Sequence, residues 1–401
     1  MAALDGVIPA IIGAANTAGA GGYEIERSVR FNDDDGAKLT RTFSAGNQSK
    51  WTWSGWVKRS SGGSKHHLFA VYTSSDNSGY FRFAFNDDNT LFVGLWTSSI
   101  LTSEAIFRDF SAWMHIVLVL DTANSTAADR IILYVNGVRQ SVTGSAGSYG
   151  SYAINSAALH NIGSQTGTSQ HFDGYMAEVH FVDGQALAPT DFGEYDDNNV
   201  WQPKEYTYST PKWVGDWASD TTGTPYSAGT SADNAFDENS STQAAPTTSS
   251  SMVFTPSSPI TGITKVRIRG QRDSGTSADI LLNGSSIKSS WSDGENAKKE
   301  FTVTNLTSLE WQTDGSNLWI SVRSIEIEVD GVYHYLVLGG VNDFYLKFAD
   351  NSSNAALGTD SSGNNNTWTV NNIEASGAFG IGTACSILTT SQTITFPITY
   401  A

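Results

Sequence analysis

The chain has 401 residues, of which 39% are hydrophobic and only 16% charged, and Ser, Thr, Asn and Gly make up the difference, as in proteins of many short strands joined by polar turns. A formal charge of −17 disfavours binding to nucleic acid or to an anionic membrane, and no apolar run is long enough for insertion across a bilayer. The single cysteine, Cys385, excludes an intrachain disulfide and a cysteine-based zinc site.

Residues 1–27 are predicted to form an assembly arm. Five large aliphatic side chains stand there among Ala and Gly: Leu4, Val7, Ile8, Ile11 and Ile12. Such an apolar strip is expected to bury against another protein, either a different subunit of an assembly or a second copy of the chain. A disordered tail is the alternative. No basic residue precedes Arg27, which argues against a secretory signal.

Residues 28–204 have the pattern of antiparallel strands. Residues 51–58 alternate with a period of two, so that Trp51 and Trp53 share a face, and residues 80–85 repeat the pattern with phenylalanine at every second position. Asn136-Gly137 is a strong hairpin signal. Because helical periodicity is missing apart from a short turn near residues 186–192, these strands predict a two-sheet antiparallel sandwich.

Short motifs in this region resemble the laminin G type of concanavalin A-like lectin domain. They occur in the family's order: Phe31-Asn32-Asp33, Trp53-Ser54-Gly55-Trp56-Val57-Lys58, Trp113-Met114-His115-Ile116, Leu133-Tyr134-Val135-Asn136-Gly137, and a closing strand with Tyr175-Met176-Ala177-Glu178-Val179 before Ala186-Leu187. In that closing strand a period of two places Tyr175, Ala177, Val179 and Phe181 on one face. The resemblance implies a β-sandwich, often with a calcium ion at the sheet rim.

Residues 205–340 form a second predicted unit. Its marker is the stretch Asn234-Ala235-Phe236-Asp237-Glu238-Asn239-Ser240-Ser241-Thr242, which resembles the early signature of discoidin-like, or coagulation factor type C, jelly rolls. Gln243-Ala244 stands where the family usually has a tryptophan, so no ligand preference is carried over. A further hairpin is expected at Asn283-Gly284.

Residues 341–376 resemble the segment that directly follows a laminin G-type lectin domain in phage and prophage virion proteins. The similarity lies in Asp343-Phe344-Tyr345-Leu346-Lys347-Phe348 and in Trp368-Thr369-Val370. We therefore expect a sandwich made of residues 28–204 plus about 341–376, an inserted discoidin-like unit at 205–340, and a C-terminal tail at 377–401. The predicted fold class is all-β, with two antiparallel jelly-roll or β-sandwich domains and extended terminal segments.

No complete catalytic set is present in the sequence. Glycoside hydrolases on jelly-roll lectin folds carry Glu-x-Asp-x-x-Glu along one strand. Glu194-Tyr195-Asp196 is followed by Asn199, and Glu328-Val329-Asp330 by Tyr333, so both stretches lack the proton donor. The seven histidines, with His66-His67 adjacent and His115 and His180 on strands, lack a serine elbow and are expected at the surface or on strand faces. We therefore expect that the protein is not an enzyme.

Two acidic loops could supply oxygen ligands for calcium. They are Asp33-Asp34-Asp35-Gly36 and Asp87-Asp88. Neither has the EF-hand spacing, and solvated turn residues are the alternative interpretation. No cofactor is expected, and a calcium site stays unassigned.

Aromatic residues make up 11% of the chain, and those in loops could stack on sugar rings. The predicted glycan contacts are Tyr149 and Tyr152, in a Gly/Ser-rich stretch, and Trp291. Most other aromatic side chains alternate along strands and are expected in the core.

These features predict a bacteriophage virion surface protein, a tail fibre or tail-associated adhesin whose lectin-like modules contact host glycans. A capsid decoration or connector protein with a purely structural role is the first alternative, and a polysaccharide depolymerase is the second. The expected partners are other virion proteins, host cell-surface polysaccharide and further copies of the chain, with a trimer favoured by analogy with phage fibres. The expected location is the exterior of the virion, on the tail or the capsid.

Overall fold

The computed structural model describes residues 22–144, 153–165, 170–208, 213–238, 241–316 and 318–375. Regular structure in these ranges consists of β-strands and short 3₁₀ helices, and none of these helices has the length and apolarity that a membrane span requires. The 3₁₀ helices are Ala127–Asp129, Pro189–Asp191, Ala228–Thr230, Ala232–Ala235, Lys288–Ser290 and Ala355–Gly358. The predicted all-β architecture is confirmed.

The first part of the chain folds as two large antiparallel sheets and a small sheet formed by its last two strands. Its strands are β1 (Val29–Phe31), β2 (Lys38–Thr42), β3 (Lys50–Arg59), β4 (His66–Tyr72), β5 (Tyr80–Phe85), β6 (Thr90–Gly94), β7 (Ser99–Ile106), β8 (Met114–Asp121), β9 (Ile131–Val135), β10 (Val138–Arg139), β11 (Val142–Gly144), β12 (Leu159–Ile162), β13 (Gly174–Asp183), β14 (Gly193–Tyr195) and β15 (Trp201–Pro203). A 7-stranded sheet has the order β1-β13-β3-β8-β9-β10, and an 8-stranded sheet begins β11-β7-β6-β5-β4-β12-β2.

Residues 213–338 form a second group of sheets with a separate hydrophobic core. The strands are β16 (Val214–Gly215), β17 (Thr221–Thr222), β18 (Ser251–Phe254), β19 (Ile260–Thr261), β20 (Lys265–Arg272), β21 (Ile280–Leu282), β22 (Ser285–Ser286), β23 (Asn296–Thr302), β24 (Asn305–Leu306), β25 (Leu309–Gln312), β26 (Ile320–Val329), β27 (Val332–Tyr335) and β28 (Val337–Leu338). The main sheets have the orders β17-β18-β25-β21-β22 and β23-β20-β26-β27, and β16 pairs in parallel with β28. We refer to residues 213–338 as the inserted unit.

The chain then returns to the first two sheets. β29 (Phe344–Leu346) pairs with β13 in the 7-stranded sheet, and β30 (Thr369–Asn371) pairs with β2 at the edge of the 8-stranded sheet. Phe344, Leu346 and Trp368 are buried in the same core as Trp51 and Trp53. We refer to the two sheets, with this returning segment, as the sandwich.

The strand patterns read from the sequence agree with the burial of side chains, with one correction. Trp51, Trp53 and the phenylalanines of β5 face the core, as expected, and burying each contributes roughly 1.5–3 kcal/mol. In β13, however, a β-bulge between Ala177 and His180 shifts the register. Met176 therefore joins Val179 and Phe181 in the core, whereas Tyr175 and Ala177 point outward.

The outer face of the 7-stranded sheet is covered by residues that follow β13. Val117, Val182 and Phe192 form a small cluster against which Tyr206 and Tyr208 pack. These two tyrosines therefore contact the sandwich, although the sequence-based boundary ended that domain at residue 204.

A buried polar network lies where the chain returns from the inserted unit. Asn155 Nδ2 donates to Asp183 Oδ1 at 2.6 Å, and Asn342 Nδ2 donates to Asn155 Oδ1 at 2.7 Å. The backbone N–H of Asp183 donates to Asp343 Oδ1 at 2.6 Å. A Cβ atom at Gly46 would lie 2.5–2.6 Å from this network, so only glycine fits beside it. Burial raises the pKa of Asp183 to about 6 and that of Asp343 to about 8.

Candidate functional site

Three aromatic side chains meet at one rim of the sandwich, and we call them the aromatic platform: Tyr72 at the end of β4, Tyr80 at the start of β5, and Trp96 after β6. The ring centroids of Tyr72 and Trp96 are 5.9 Å apart, and Tyr80 lies 5.7 Å from Tyr72 and 5.6 Å from Trp96. Tyr80 is fully buried, whereas Tyr72 is 36% and Trp96 40% exposed. The buried tyrosine thus supports two rings that are open to solvent.

Polar contacts hold the two loops that carry the platform. In the turn after Tyr72, Asp76 Oδ1 accepts hydrogen bonds from the backbone N–H groups of Ser78, at 2.8 Å, and Gly79, at 2.9 Å. Asn77 Oδ1 accepts from the backbone N–H of Thr97 at 3.0 Å, which joins this turn to the loop of Trp96. A side-chain hydrogen bond from Ser78 is the largest cause that lowers the pKa of Asp76 to about 2. The platform is therefore ordered before any ligand binds.

A cleft of about 400 Å³ separates part of the sandwich from the inserted unit, and we call it the interdomain cleft. Lys50 at the start of β3, Asp121 at the end of β8 and the loop 184–187 form the wall on the sandwich side. The opposite wall consists of Trp213, Glu238, residues 333–335 of β27 and Val337.

Charged groups lie on one side of the interdomain cleft. Lys50 Nζ lies 2.9 Å from Glu238 Oε1 and 3.0 Å from Oε2, so this ion pair connects the sandwich to the inserted unit. The same ammonium is 3.8 Å from Asp121 Oδ1, which is inaccessible to solvent and has no hydrogen-bond partner. Glu238 has a φ of 58°, a left-handed conformation that is strained for a residue with a side chain.

Aromatic rings lie on the other side of the cleft. Trp213 and His334 stack with centroids 3.7 Å apart and an interplanar angle of 9°. Burial lowers the pKa of His334, so its imidazole is neutral at pH 7. Tyr333 and Tyr335 flank the histidine on β27, and the guanidinium carbon of Arg267 lies 3.3 Å from the ring centroid of Tyr333. This wall offers aromatic faces beside the polar wall of the sandwich.

A serine and a histidine are in contact on the outer side of the 7-stranded sheet. In a catalytic pair of this kind the histidine would have to accept the proton of the serine hydroxyl. Ser54 Oγ is 2.8 Å from His115 Nε2, and Trp201 Nε1–H donates to His115 Nδ1 at 3.0 Å. Because an indole N–H can only donate, Nδ1 is the acceptor and the neutral imidazole carries its proton on Nε2. Nε2–H then donates to Ser54, which leaves no basic nitrogen facing the hydroxyl. This contact holds β3, β8 and β15 together.

Glu178 is the buried carboxyl at the β-bulge of β13. It has a φ of 49° and accepts hydrogen bonds from Tyr23 Oη, at 2.8 Å, and from Tyr345 Oη. Burial raises the pKa of Glu178. The residues just before β1 are thus tied to the outer face of the sheet through Tyr23.

The carboxylates of the two partial motifs make contacts within their own surroundings. Glu194 is exposed on β14, and Asp196 accepts hydrogen bonds from the N–H groups of Asn198 and Val200 in its own turn. Glu328 accepts a hydrogen bond from the Thr264 hydroxyl at 2.5 Å. Lys265 Nζ lies 3.9 Å from Glu328 Oε2 and 2.9 Å from Glu300 Oε1, so Glu328 belongs to a salt-bridge network at the surface of the inserted unit.

The structure contradicts the prediction that Trp291 contacts a glycan. Its side chain is 1% exposed, packs in the core of the inserted unit, and donates a hydrogen bond from Nε1 to the Ala297 carbonyl at 2.9 Å. Trp291 was expected in an exposed loop, but Gly270 leaves room for the indole against β20. The other predicted contacts, Tyr149 and Tyr152, and the arm residues Leu4, Val7, Ile8, Ile11 and Ile12 lie outside the described residues.

The two acidic loops use their carboxylates within their own turns. Asp88 Oδ1 accepts from the N–H of Thr90 at 2.9 Å and from its hydroxyl at 2.6 Å, and the hydroxyl bond is the largest cause of the lowered pKa of Asp88. Asp33 accepts from the N–H of Asp34, and Asp35 from Asn32. Within the part of the chain that the structure describes, no group of three or more His, Cys, Asp or Glu residues is arranged to hold a metal ion.

The platform and the cleft were both missed by sequence reasoning. Trp96 lies beyond β6, which ends at Gly94, and the Thr-Ser-Ser that follows it is the sequence signal of a loop at this position. The cleft is lined by residues from distant segments of the chain, and no residue spacing in the sequence predicts that they meet.

Several solved structures are similar to part of the chain. Similar solved structures include a heptameric SAP-like pentraxin from Limulus polyphemus, with 16% identity over 41% of this chain and 80% of that chain and a TM-score of 0.31. The CBM40 of the Ruminococcus gnavus IT-sialidase has 14% identity over 36% and 81%, with a TM-score of 0.30. Domain 4 of the arabinanase AbnA from Geobacillus stearothermophilus, in complex with arabinotriose, has 16% identity over 35% and 64%, with a TM-score of 0.27.

No curated protein sequence matches the chain. Residues 31–191 match the family model of the concanavalin A-like lectin/glucanases superfamily, and this part of the chain is a concanavalin A-like β-sandwich.

Proposed function

We propose that the protein is a lectin-like adhesin on the exterior of a bacteriophage particle, part of a tail fibre or associated with the tail, and that it binds glycans of the host surface. The observation that carries the glycan-binding part is the aromatic platform. Tyr72 and Trp96 present exposed rings on a sandwich whose residues 31–191 match a lectin/glucanase family. Aromatic faces of this kind suit the C–H face of a sugar ring.

We further propose that the protein binds glycans without hydrolysing them. Asn199 and Tyr333 stand where the two partial motifs would have their proton donor, and the tautomer of His115 leaves Ser54 without a base. Purified protein is therefore expected to release no reducing sugar from host envelope polysaccharide. Turnover that is lost in Glu194→Gln or Glu328→Gln would instead identify a depolymerase.

The glycan-binding proposal is tested by equilibrium binding of the full chain to host envelope polysaccharide. Trp96→Ala removes the larger exposed ring, and we expect an affinity at least tenfold lower, which is about 1.4 kcal/mol. Trp113→Ala is the matched control, because Trp113 is 37% exposed and lies outside the platform. Equal affinity of the parent and Trp96→Ala would contradict the platform as the binding site.

The virion location rests on the resemblance of residues 341–376 to phage and prophage virion proteins. Antibody labelling of purified particles, viewed by electron microscopy, is expected to mark the tail exterior. Label confined to the capsid would favour the decoration-protein alternative, and unlabelled intact particles would contradict the location altogether.

A further inference from the structure

We propose that the interdomain cleft is a second saccharide-binding site, specific for uncharged oligosaccharides and separate from the aromatic platform. The proposal rests on the proposed glycan recognition for the class of ligand, but none of its residues belongs to the platform. It gives the inserted unit a direct part in recognition, because half of the cleft wall comes from that unit.

The cleft offers both aromatic and charged groups, which suit the C–H face and the hydroxyl groups of a sugar ring. The Trp213 and His334 rings stack on each other 3.7 Å apart, and we assign the outer face of this stack to the C–H face of a pyranose. Lys50, Asp121 and Glu238 supply a donor and acceptors for hydroxyl groups. The volume of about 400 Å³ lies in the range of small-molecule sites, which run from roughly 300 to 1,000 Å³.

Two details of the charged residues, which come from both walls, favour a ligand site. Asp121 lines the cleft with a side chain that is 20% exposed, so its carboxylate can accept a hydrogen bond from a ligand hydroxyl. Glu238 is held in a left-handed conformation while both of its carboxylate oxygens pair with Lys50. Strained residues of this kind occur preferentially at ligand clamps.

The charge of the cleft selects the class of saccharide. Its lining includes two carboxylates, Asp121 and Glu238, and one ammonium, Lys50, so the lining carries excess negative charge. The whole chain has a net charge of −17. A saccharide with uronate or sialate groups would be repelled by both, whereas an uncharged hexose oligosaccharide would not.

The test measures binding of neutral and acidic oligosaccharides in a background that lacks the platform. The full-length Trp96→Ala variant is titrated calorimetrically with pentasaccharides of glucose, in α-1,4, β-1,4 and β-1,3 linkage, of N-acetylglucosamine, and of galacturonate. At least one neutral pentasaccharide is expected to bind at least tenfold more tightly than pentagalacturonate. Adding Asp121→Asn, which preserves the shape of the side chain, should weaken that binding at least fivefold, and adding Trp213→Ala should abolish it.

The outcomes distinguish a failure of the cleft proposal from a failure of the platform proposal. If the Trp96→Ala background binds no pentasaccharide, or binds one with an affinity that Asp121→Asn leaves unchanged, the cleft is not a saccharide site, and the platform proposal is unaffected. Equal affinity for pentagalacturonate would overturn the specificity for uncharged ligands. If cleft variants in the parent chain abolish binding while Trp96→Ala has no effect, the cleft stands and the platform is refuted. Because Trp213 also packs on the core of the inserted unit, Asp121→Asn is the decisive variant.

Discussion

Five buried histidines lead us to expect that the sandwich loses stability on mild acidification. They lie on strands of the two sheets: His66, His67, His115, His160 and His180. Burial lowers the pKa of His66 to about 4 and that of the other four to about 3. In the unfolded chain the imidazole pKa returns to about 6.5. Below that pH the unfolded chain binds protons that the folded chain excludes, so the stability present above pH 6.5 is lost as the pH falls.

Two buried aspartates oppose the effect of the histidines on the free energy of unfolding, so the two contributions have to be compared. Lowering the pH from 7 to 5 costs the folded state about 1.8 kcal/mol for each of the five histidines, which together is about 9 kcal/mol. Asp183 and Asp343, with pKa values raised to about 6 and about 8, contribute stability that is fully present below the unfolded pKa of about 3.9 and is lost as the pH rises through those values. Lowering the pH from 7 to 5 restores roughly 4 kcal/mol of it.

The histidines therefore dominate. The free energy of unfolding of the sandwich should fall by about 5 kcal/mol between pH 7 and pH 5, which is comparable with the total stability of many domains, about 5–15 kcal/mol. Above pH 7 the two aspartates reverse the trend, so the maximum of stability is expected near neutral pH.

Urea unfolding at the two pH values, combined with hydrogen exchange corrected for intrinsic rates, checks this expectation. The inserted unit provides an internal control, because His334 is its single histidine among the seven in the chain. Amide protection should fall at pH 5 in the sandwich and persist in the inserted unit. A free energy of unfolding that is unchanged within about 1 kcal/mol, or larger at pH 5, would refute the reasoning. Earlier loss of protection in the inserted unit would refute it too.

Three further outcomes are expected. Asp343→Asn removes a carboxyl that ionises in a buried site, so at pH 9 the variant should exceed the parent in stability by roughly 5 kcal/mol. A parallel pH dependence of the two melting temperatures would contradict this. Replacement of residues 209–338 by a short Gly/Ser bridge should leave a sandwich that melts cooperatively. The two ends of the inserted unit are adjacent, because Gly339 N donates to the Gly215 carbonyl. Non-cooperative melting would count against an insertion. A chain beginning at Tyr23 should fold but fail to join particles, as should Ile8→Asp combined with Ile11→Asp, and full recovery on purified virions would place the attachment surface elsewhere.

The sequence was sufficient for those features that depend on local patterns. The alternation of Trp51 and Trp53 with polar residues predicted a strand with one buried face, because successive side chains of a strand point to opposite sides. Asn136-Gly137 predicted a tight hairpin, and both residues have the positive φ angles, 49° and 76°, that such a turn requires. The all-β class followed from many such short signals, each determined by neighbouring residues.

Tertiary structure decided the features that depend on contacts between distant residues. The bulge at Glu178 reversed the expected face of Tyr175, because pairing with β3 and burial of Met176 outweigh a strict period of two. Trp291 was expected to contact a glycan and is buried, since exposure depends on what packs against a ring and not on its sequence neighbours. For the same reason only the folded chain brings Asp121 and Trp213 to one cleft and Tyr72 and Trp96 to one rim.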